Sequence, residues 1–296
     1  MNTIADDILD VAHIGCTVSD LDDTKIFLKS FLSEREFHTQ FIDKPYLSGV
    51  IGFPECAIQM GFTDFGSNGG ILELLDYKNP RSELVDFTLD RPGTGYLDFT
   101  VTDIKKHTEQ MILSGASLIN TSDASIITLN KSSKNDNLEK KYFFKTPTGI
   151  LIAINEDKSI SSLRLTSTGF YVIEIAPLLK FFARLGYTFI SDKKSENNNS
   201  VILKNKGAGP YLVLHECAAP PEGEIQIESN MTGNIHICVR VKDIDCIFDK
   251  MISMGATPTG KPTNITAGVN EGTRAGYITI PDGIKLELFQ GKNTQL

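Results

Sequence analysis

Two histidines and two glutamates stand out, because each histidine and its glutamate recur in one sequence setting. His13-Ile-Gly-Cys-Thr-Val-Ser-Asp20 returns near the other end of the chain as His236-Ile-Cys-Val-Arg-Val-Lys-Asp243. The first copy is followed by Gly70-Ile71-Leu72-Glu73-Leu74, the second by Gly283-Ile284-Lys285-Leu286-Glu287-Leu288. Neutral imidazole and carboxylate are donors for a divalent Zn, Ni, Co, Mn or Fe ion. A carboxylate inside Ile-Leu-Glu-Leu-Leu is costly to bury unless a cation meets it. A lone buried histidine would read as ordinary core. Two matching His/Glu pairs read instead as one metal centre built from both ends of the chain.

The elements that must position these residues follow a repeat. The first unit reads as a strand over 12–18, an aspartate-rich helix start at 20–23, and an amphipathic helix through Ile26, Phe27, Ser30 and Phe31. Strand-like stretches follow at 48–53, 57–62 and 71–75, giving a βαβββ unit. The second unit starts at Tyr96-Leu97-Asp98-Phe99, and its helix ends near Gly115-Ala116. It closes with strands over 141–146 and 150–155. The fourth parallels it, with a helix ending at Gly255-Ala256 and Pro281-Asp282-Gly283 joining its last two strands. Proline sets φ there and glycine accepts positive φ, which predicts a hairpin. The third is the weakest: a strand over 169–175, a helix over 178–185, and strands over 200–204 and 211–215. Breaks fall at 76–95, 156–166 and 218–232, and the polar runs 131–140 and 192–200 read as surface loops.

Composition narrows the partners. The 296 residues suit two domains, and a net charge of −8 disfavours nucleic acid and anionic membranes, both of which attract basic patches. No apolar run reaches the length of a membrane span, and the N-terminus lacks a signal-peptide pattern. The five cysteines (16, 56, 217, 238 and 246) are odd in number and lie in apolar segments, as reduced buried thiols do. A cytoplasmic protein acting on a small molecule, as monomer or homodimer, is expected.

The phrases Val18-Ser-Asp-Leu-Asp22, Tyr142-Phe-Phe-Lys-Thr-Pro-Thr-Gly-Ile150, Ile280-Pro-Asp-Gly-Ile-Lys-Leu-Glu-Leu288 and Gly69-Gly-Ile-Leu-Glu-Leu-Leu-Asp-Tyr77 resemble the vicinal oxygen chelate superfamily. That group includes glyoxalase I, methylmalonyl-CoA epimerase, extradiol dioxygenases and bleomycin- or fosfomycin-resistance proteins. The resemblance implies an α+β fold of four βαβββ modules forming two cupped β-sheet sites. The halves would be 1–157 (modules about 8–78 and 93–157) and 163–296 (modules about 163–218 and 232–291). It also implies that each unit offers one ligand position on its first strand and one on its last, with two units making a cup. Counting back seven residues from the aspartate that ends the first strand gives His13, Tyr96 and His236, and a looser alignment gives Ser167. The last-strand positions are Glu73, Ala153, Val213 and Glu287. Pairing modules 1+4 and 2+3, as four-module glyoxalases do, puts His13, Glu73, His236 and Glu287 in one cup and no ligand in the other.

Such a centre would leave two positions open for a bidentate oxygen substrate. The expected activity is that of a metal-dependent isomerase or lyase, glyoxalase I-like or an epimerase, moving a proton beside a carbonyl through a metal-bound enediolate. Glu287 and Glu73 are the candidate proton carriers, with Glu287 preferred. The alternatives are a ferrous extradiol-type dioxygenase, or a metal-free binding protein of the resistance type. Arg274 and Tyr277 are the candidate substrate-binding residues, with Arg91 and Tyr46 behind them. His38 and His107 read as solvated, and His215 as structural or exposed.

Overall fold

Each unit opens with a strand that ends in an acidic residue and turns into a helix. The computed structural model describes residues 7–32, 35–66, 70–119, 141–194, 199–207, 209–218 and 226–292. Unit one holds β1 (Ile8–Thr17), α1 (Leu21–Leu32), β2 (His38–Ile42), α2 (Tyr46–Ile51), β3 (Ala57–Asp64) and β4 (Ile71–Asn79). Unit two holds β5 (Gly95–Val101), α3 (Ile104–Leu113), β6 (Ser117–Ile119), β7 (Tyr142–Lys145) and β8 (Leu151–Glu156). Unit three holds β9 (Arg164–Val172), α4 (Ile175–Arg184), β10 (Tyr187–Lys194), β11 (Asn199–Asn205) and β12 (Tyr211–Glu216). Unit four holds β13 (Ile235–Val241), α5 (Ile244–Ser253), β14 (Thr257–Pro258), β15 (Thr263–Asn264), β16 (Arg274–Thr279) and β17 (Lys285–Gln290). The expected loop over 131–140 lies outside the described residues, as do 195–198 and 219–225 within the other expected loop and linker.

Asp20, Asp103 and Asp243 start their helices by accepting the backbone N–H of Asp23, Lys106 and Cys246 at 2.9, 2.9 and 3.0 Å. Each bond satisfies a donor that the first helical turn leaves orphaned. Along α1 the buried face is Leu21, Thr24, Phe27, Leu28, Phe31 and Leu32, while Ile26 points out and is 70% exposed. The stripe therefore runs one residue away from the one expected through Ile26.

One expected strand is a helix. Residues 46–51 place Tyr46, Leu47, Val50 and Ile51 at helical spacing, all buried, and Gly52 stops the turn in the left-handed region at φ 89°. The strand of this region is instead β2, which pairs with β3 through Ile42 and Ile58. The Pro281-Asp282-Gly283 turn does join β16 to β17, with Asp282 and Gly283 at φ 63° and 77°.

Two sheets result. The first runs β14-β16-β17-β13-β1-β4-β3-β2, with β15 also on β16. The second runs β10-β11-β12-β9-β5-β8-β7-β6. At the centre of the first, β1 and β13 lie antiparallel, so units one and four share it; β5 and β9 do the same for units two and three. One apolar core joins a face of both sheets to α1, α4 and α5, with Phe31 of α1 edge-on to Phe99 of β5 at 5.6 Å. The other face of each sheet curves into a cup with its own smaller cluster. All five cysteines are free, and no helix among the described residues is long and apolar enough to cross a membrane.

Candidate metal centre

Strand register builds the site in two rows. In the first, Gly15 of β1 lies opposite His236 of β13 on one side and Glu73 of β4 on the other. In the second, Cys238 of β13 lies opposite His13 of β1 and Glu287 of β17. His13 and Gly15 are two apart, as are His236 and Cys238, so alternation turns all of these toward the cup. Each row sets a histidine and a glutamate from different units either side of a small residue. Gly15 is small by necessity, since a Cβ there would stand 1.8 Å from His236 Cε1.

The donor atoms converge. His13 Nε2 lies 3.2 Å from Glu73 Oε2 and 3.0 Å from Glu287 Oε2. His236 Nε2 lies 3.3 and 3.5 Å from the same two oxygens, and 3.3 Å from His13 Nε2. All four donor atoms fall within 4.8 Å of one another. Two ligands each about 2.1 Å from one ion sit about 3.0–3.4 Å apart at octahedral or tetrahedral angles. These separations therefore fit a shared cation. Glu73 Oε2 points the same way: it is fully buried, and the histidines reach it at hydrogen-bond distance without hydrogen-bond geometry.

Electrostatics bind the cluster together. Burial opposes charge on His13 and His236, yet Cys238 beside His13 and the two carboxylates facing both rings outweigh it and hold both imidazoles above the ordinary histidine pKa. Burial likewise pushes Glu73 and Glu287 up, and the histidines more than reverse it, leaving both carboxyls below the usual range.

Tyr277 belongs to the same cluster. Its hydroxyl donates to Glu287 Oε2 at 3.2 Å and lies 3.1 Å from His236 Nε2. Arg274 does not join it. Three residues from Tyr277 on β16, it takes the opposite face, where its guanidinium forks onto Asp245 of α5 at 2.6 and 2.9 Å. Tyr46 lines the cavity that opens beside the centre, whereas Arg91 lies 5.8 Å over the Phe87 ring, away from it.

The second sheet repeats the rows without the donors. Gly169 separates Tyr96 from Val213, and Asp98 separates Ser167 from Ala153. Asp98 is buried and paired with Lys141 at 2.7 Å; it also accepts from Ser167 at 2.6 Å and Asn155 at 3.0 Å. His215 is structural rather than exposed. Burial, with the nearby Lys141 charge, brings its pKa down to about 3, and the neutral ring joins the Tyr96 hydroxyl (2.8 Å) to Ser200 Oγ (2.7 Å). This cup is occupied by its own side chains. The Asp98–Lys141 pair escaped the sequence reading, although an aspartate within Tyr-Leu-Asp-Phe carried the same signal as Glu73: an acid in an apolar strand needs a partner. Gly15 and Cys238 escaped it as well; their signal is the small residue two positions after each histidine.

Residues 167–277 match the model of the Glyoxalase/Bleomycin resistance protein/Dioxygenase superfamily. No curated protein matches the sequence. Among solved structures, glyoxalase I from Zea mays aligns with a TM-score of 0.61 at 16% identity, covering 95% of this chain and 92% of that one. A candidate dioxygenase from Bacillus subtilis aligns with a TM-score of 0.60 at 13% identity, covering 96% and 85%. The chain is thus similar to that superfamily in sequence over 167–277 and shares the fold of these proteins over nearly its whole length.

Proposed function

We propose that this chain of glyoxalase-like fold is a metal-dependent lyase or isomerase that moves a proton beside a carbonyl of a small substrate bearing two neighbouring oxygens. The convergence of His13, Glu73, His236 and Glu287 on one point carries this reading. These four residues would hold one divalent ion. When bound, the ion supplies Lewis acidity toward a substrate carbonyl and so lowers the cost of losing the adjacent proton.

The protein's own groups would do the rest. Glu287 is the preferred proton carrier, because its side chain is 10% exposed at the cavity wall against 3% for Glu73. A carboxylate moving a proton between neighbouring atoms must reach the substrate, and Glu287 is the better placed. The Tyr277 hydroxyl, donating to Glu287 Oε2, fixes that carboxylate and stands ready to hold an oxygen of the substrate. Apolar walls around the cup exclude water from the exchanging proton. One chain supplies the complete donor set, so a monomer suffices for the centre.

Metal content by mass spectrometry tests the first half of the proposal. About one divalent ion per chain is expected, lost in His236→Ala. Protein without metal even after reconstitution would overturn it and leave a small-molecule binding protein. The second half is read by solvent deuterium entering the α-carbon of small α-hydroxycarbonyl compounds. Exchange should vanish in Glu287→Gln or Glu73→Gln, and its survival in both would remove the carboxylate mechanism.

A further inference from the structure

Beyond the four donors, the cavity changes character. It runs from Glu73 and Glu287 beneath α2 and the 265–270 segment of unit four, and most of its wall is apolar, with Ile42, Val50, Ile58, Met60, Leu75 and Ile265 among the side chains that line it. Among the described residues, no lysine or arginine lines it. The polar groups along it are largely engaged. The Tyr46 hydroxyl donates to the Ala267 carbonyl at 3.1 Å, and Gln40 Oε1 accepts from the Val269 N–H at 3.2 Å. Cations elsewhere in these segments are turned away: Arg274 is held by Asp245, and Lys44 pairs with Asp43 at 3.2 Å and is half-exposed.

The charge balance is then decisive. Two carboxylates and a divalent ion sum to no net charge, and among the described residues none further along the cavity offers a counterion. A carboxylate, phosphate or ammonium on the body of a ligand would be stripped of water against aliphatic side chains and left unpaired, which costs far more than apolar contact returns. A hydrocarbon body gains from the same walls. The enclosed space of about 50 Å³ is several times the minimum for one water and well below the roughly 150 Å³ of a dry cavity that takes benzene, so it seats a short branched chain or the edge of a ring.

We infer that the substrate of this centre carries its two oxygens on an uncharged, apolar body, a small aromatic ring or branched alkyl group, and that the cavity rejects bodies bearing charge. The inference rests on the metal-binding reading of the same cup, and its test separates the two. Hydroxamic acids present a bidentate oxygen head on a chosen body. On metal-loaded protein, calorimetry should show benzohydroxamate binding about tenfold or more tighter than acetohydroxamate, with the monohydroxamate of succinic acid no tighter than acetohydroxamate. In Met60→Lys, which places a cation on the wall, the succinic probe should gain affinity while metal content stays unchanged. Wild-type protein that binds the succinic probe as tightly as benzohydroxamate, with its metal intact, overturns the inference and leaves the metal site standing. The body preference is also read without metal, by ligand-observed NMR. 4-Methylphenol should bind metal-free protein and 4-hydroxybenzoate should bind about tenfold weaker or not at all. Equal binding of the two, or binding of neither, overturns the inference whatever the metal result.

Discussion

Gly15→Ala adds one methyl group and touches no donor, yet it should empty the metal centre. The new Cβ would stand 1.8 Å from His236 Cε1, 2.2 Å from Nε2 and 2.5 Å from Nδ1. Carbon atoms in contact need about 3.5 Å, so the ring or the strand must give by about 1.7 Å. The ring has little room, with Tyr277 at 5.1 Å and His13 at 5.4 Å between centroids. Metal–ligand distances tolerate about 0.2 Å. His236 is therefore lost as a donor, and affinity should fall by about a hundredfold or more, beyond what loss of an outer-shell contact costs. Gly169→Ala is the matched control. It occupies the same register position in the other sheet, and its Cβ would meet Tyr96 Cζ at 2.1 Å. Both variants should lose about 1–3 kcal/mol from overpacking, seen as similar falls in Tm. Only Gly15→Ala should lose metal after dialysis, as measured by mass spectrometry. Wild-type metal content in Gly15→Ala, or metal loss in Gly169→Ala as well, would refute the reasoning.

Two further outcomes follow from charge. Cys238 and the two carboxylates raise the pKa of His13, and the carboxylates raise that of His236, so in metal-free protein these rings keep protons to higher pH than a free imidazole does, and a divalent ion must displace them. Calorimetry in buffers of different ionisation enthalpy should show net proton release on metal binding near neutral pH, with affinity falling as the pH is lowered through the histidine pKa values; no release would contradict the electrostatics. In the second cup, Lys141→Met leaves Asp98 buried without its cation and should cost about 3–5 kcal/mol in urea unfolding. Adding Asp98→Asn should recover part of that, with metal content unchanged throughout. A neutral single variant would mean the pair does not hold this cup.

The residues that were legible in the sequence share one property: their chemistry conflicts with their surroundings. Glu73 and Glu287 are acids in apolar strands, and that conflict marks them before any fold is known. The repeat made three of the four strand–helix units readable, because Asp20, Asp103 and Asp243 act as both strand ends and helix caps; the third has Glu174 there, with no side-chain cap, and read as the weakest. Residues 46–51 were misread because six apolar-rich positions fit either period, and only Gly52 in the left-handed region marks the stop of a helical turn. Arg274 and Tyr277 could not both face the site: an odd spacing along one strand sends them to opposite faces, a parity the sequence already contained. The cavity wall was beyond reach for a different reason. Its residues come from β2, α2, β3 and the 265–270 segment, brought together only by tertiary packing.

The sheet order also bears on how the molecule is made. Units two and three form a sheet inside the chain, while the sheet with the donor cluster needs β1 and β17, the first and last strands among the described residues. A ribosome releases the inner sheet complete while β1 still lacks its neighbour β13. Domains tend to fold as they emerge, so the nested sheet can close early and hold unit one nearby as unit four is synthesised. The loop that the outer sheet must close is then a folded body rather than free chain, which shortens the effective search. Nesting turns the longest contact in the sequence into a late, short-range one, and the His/Glu donor cluster becomes the last thing the nascent chain completes.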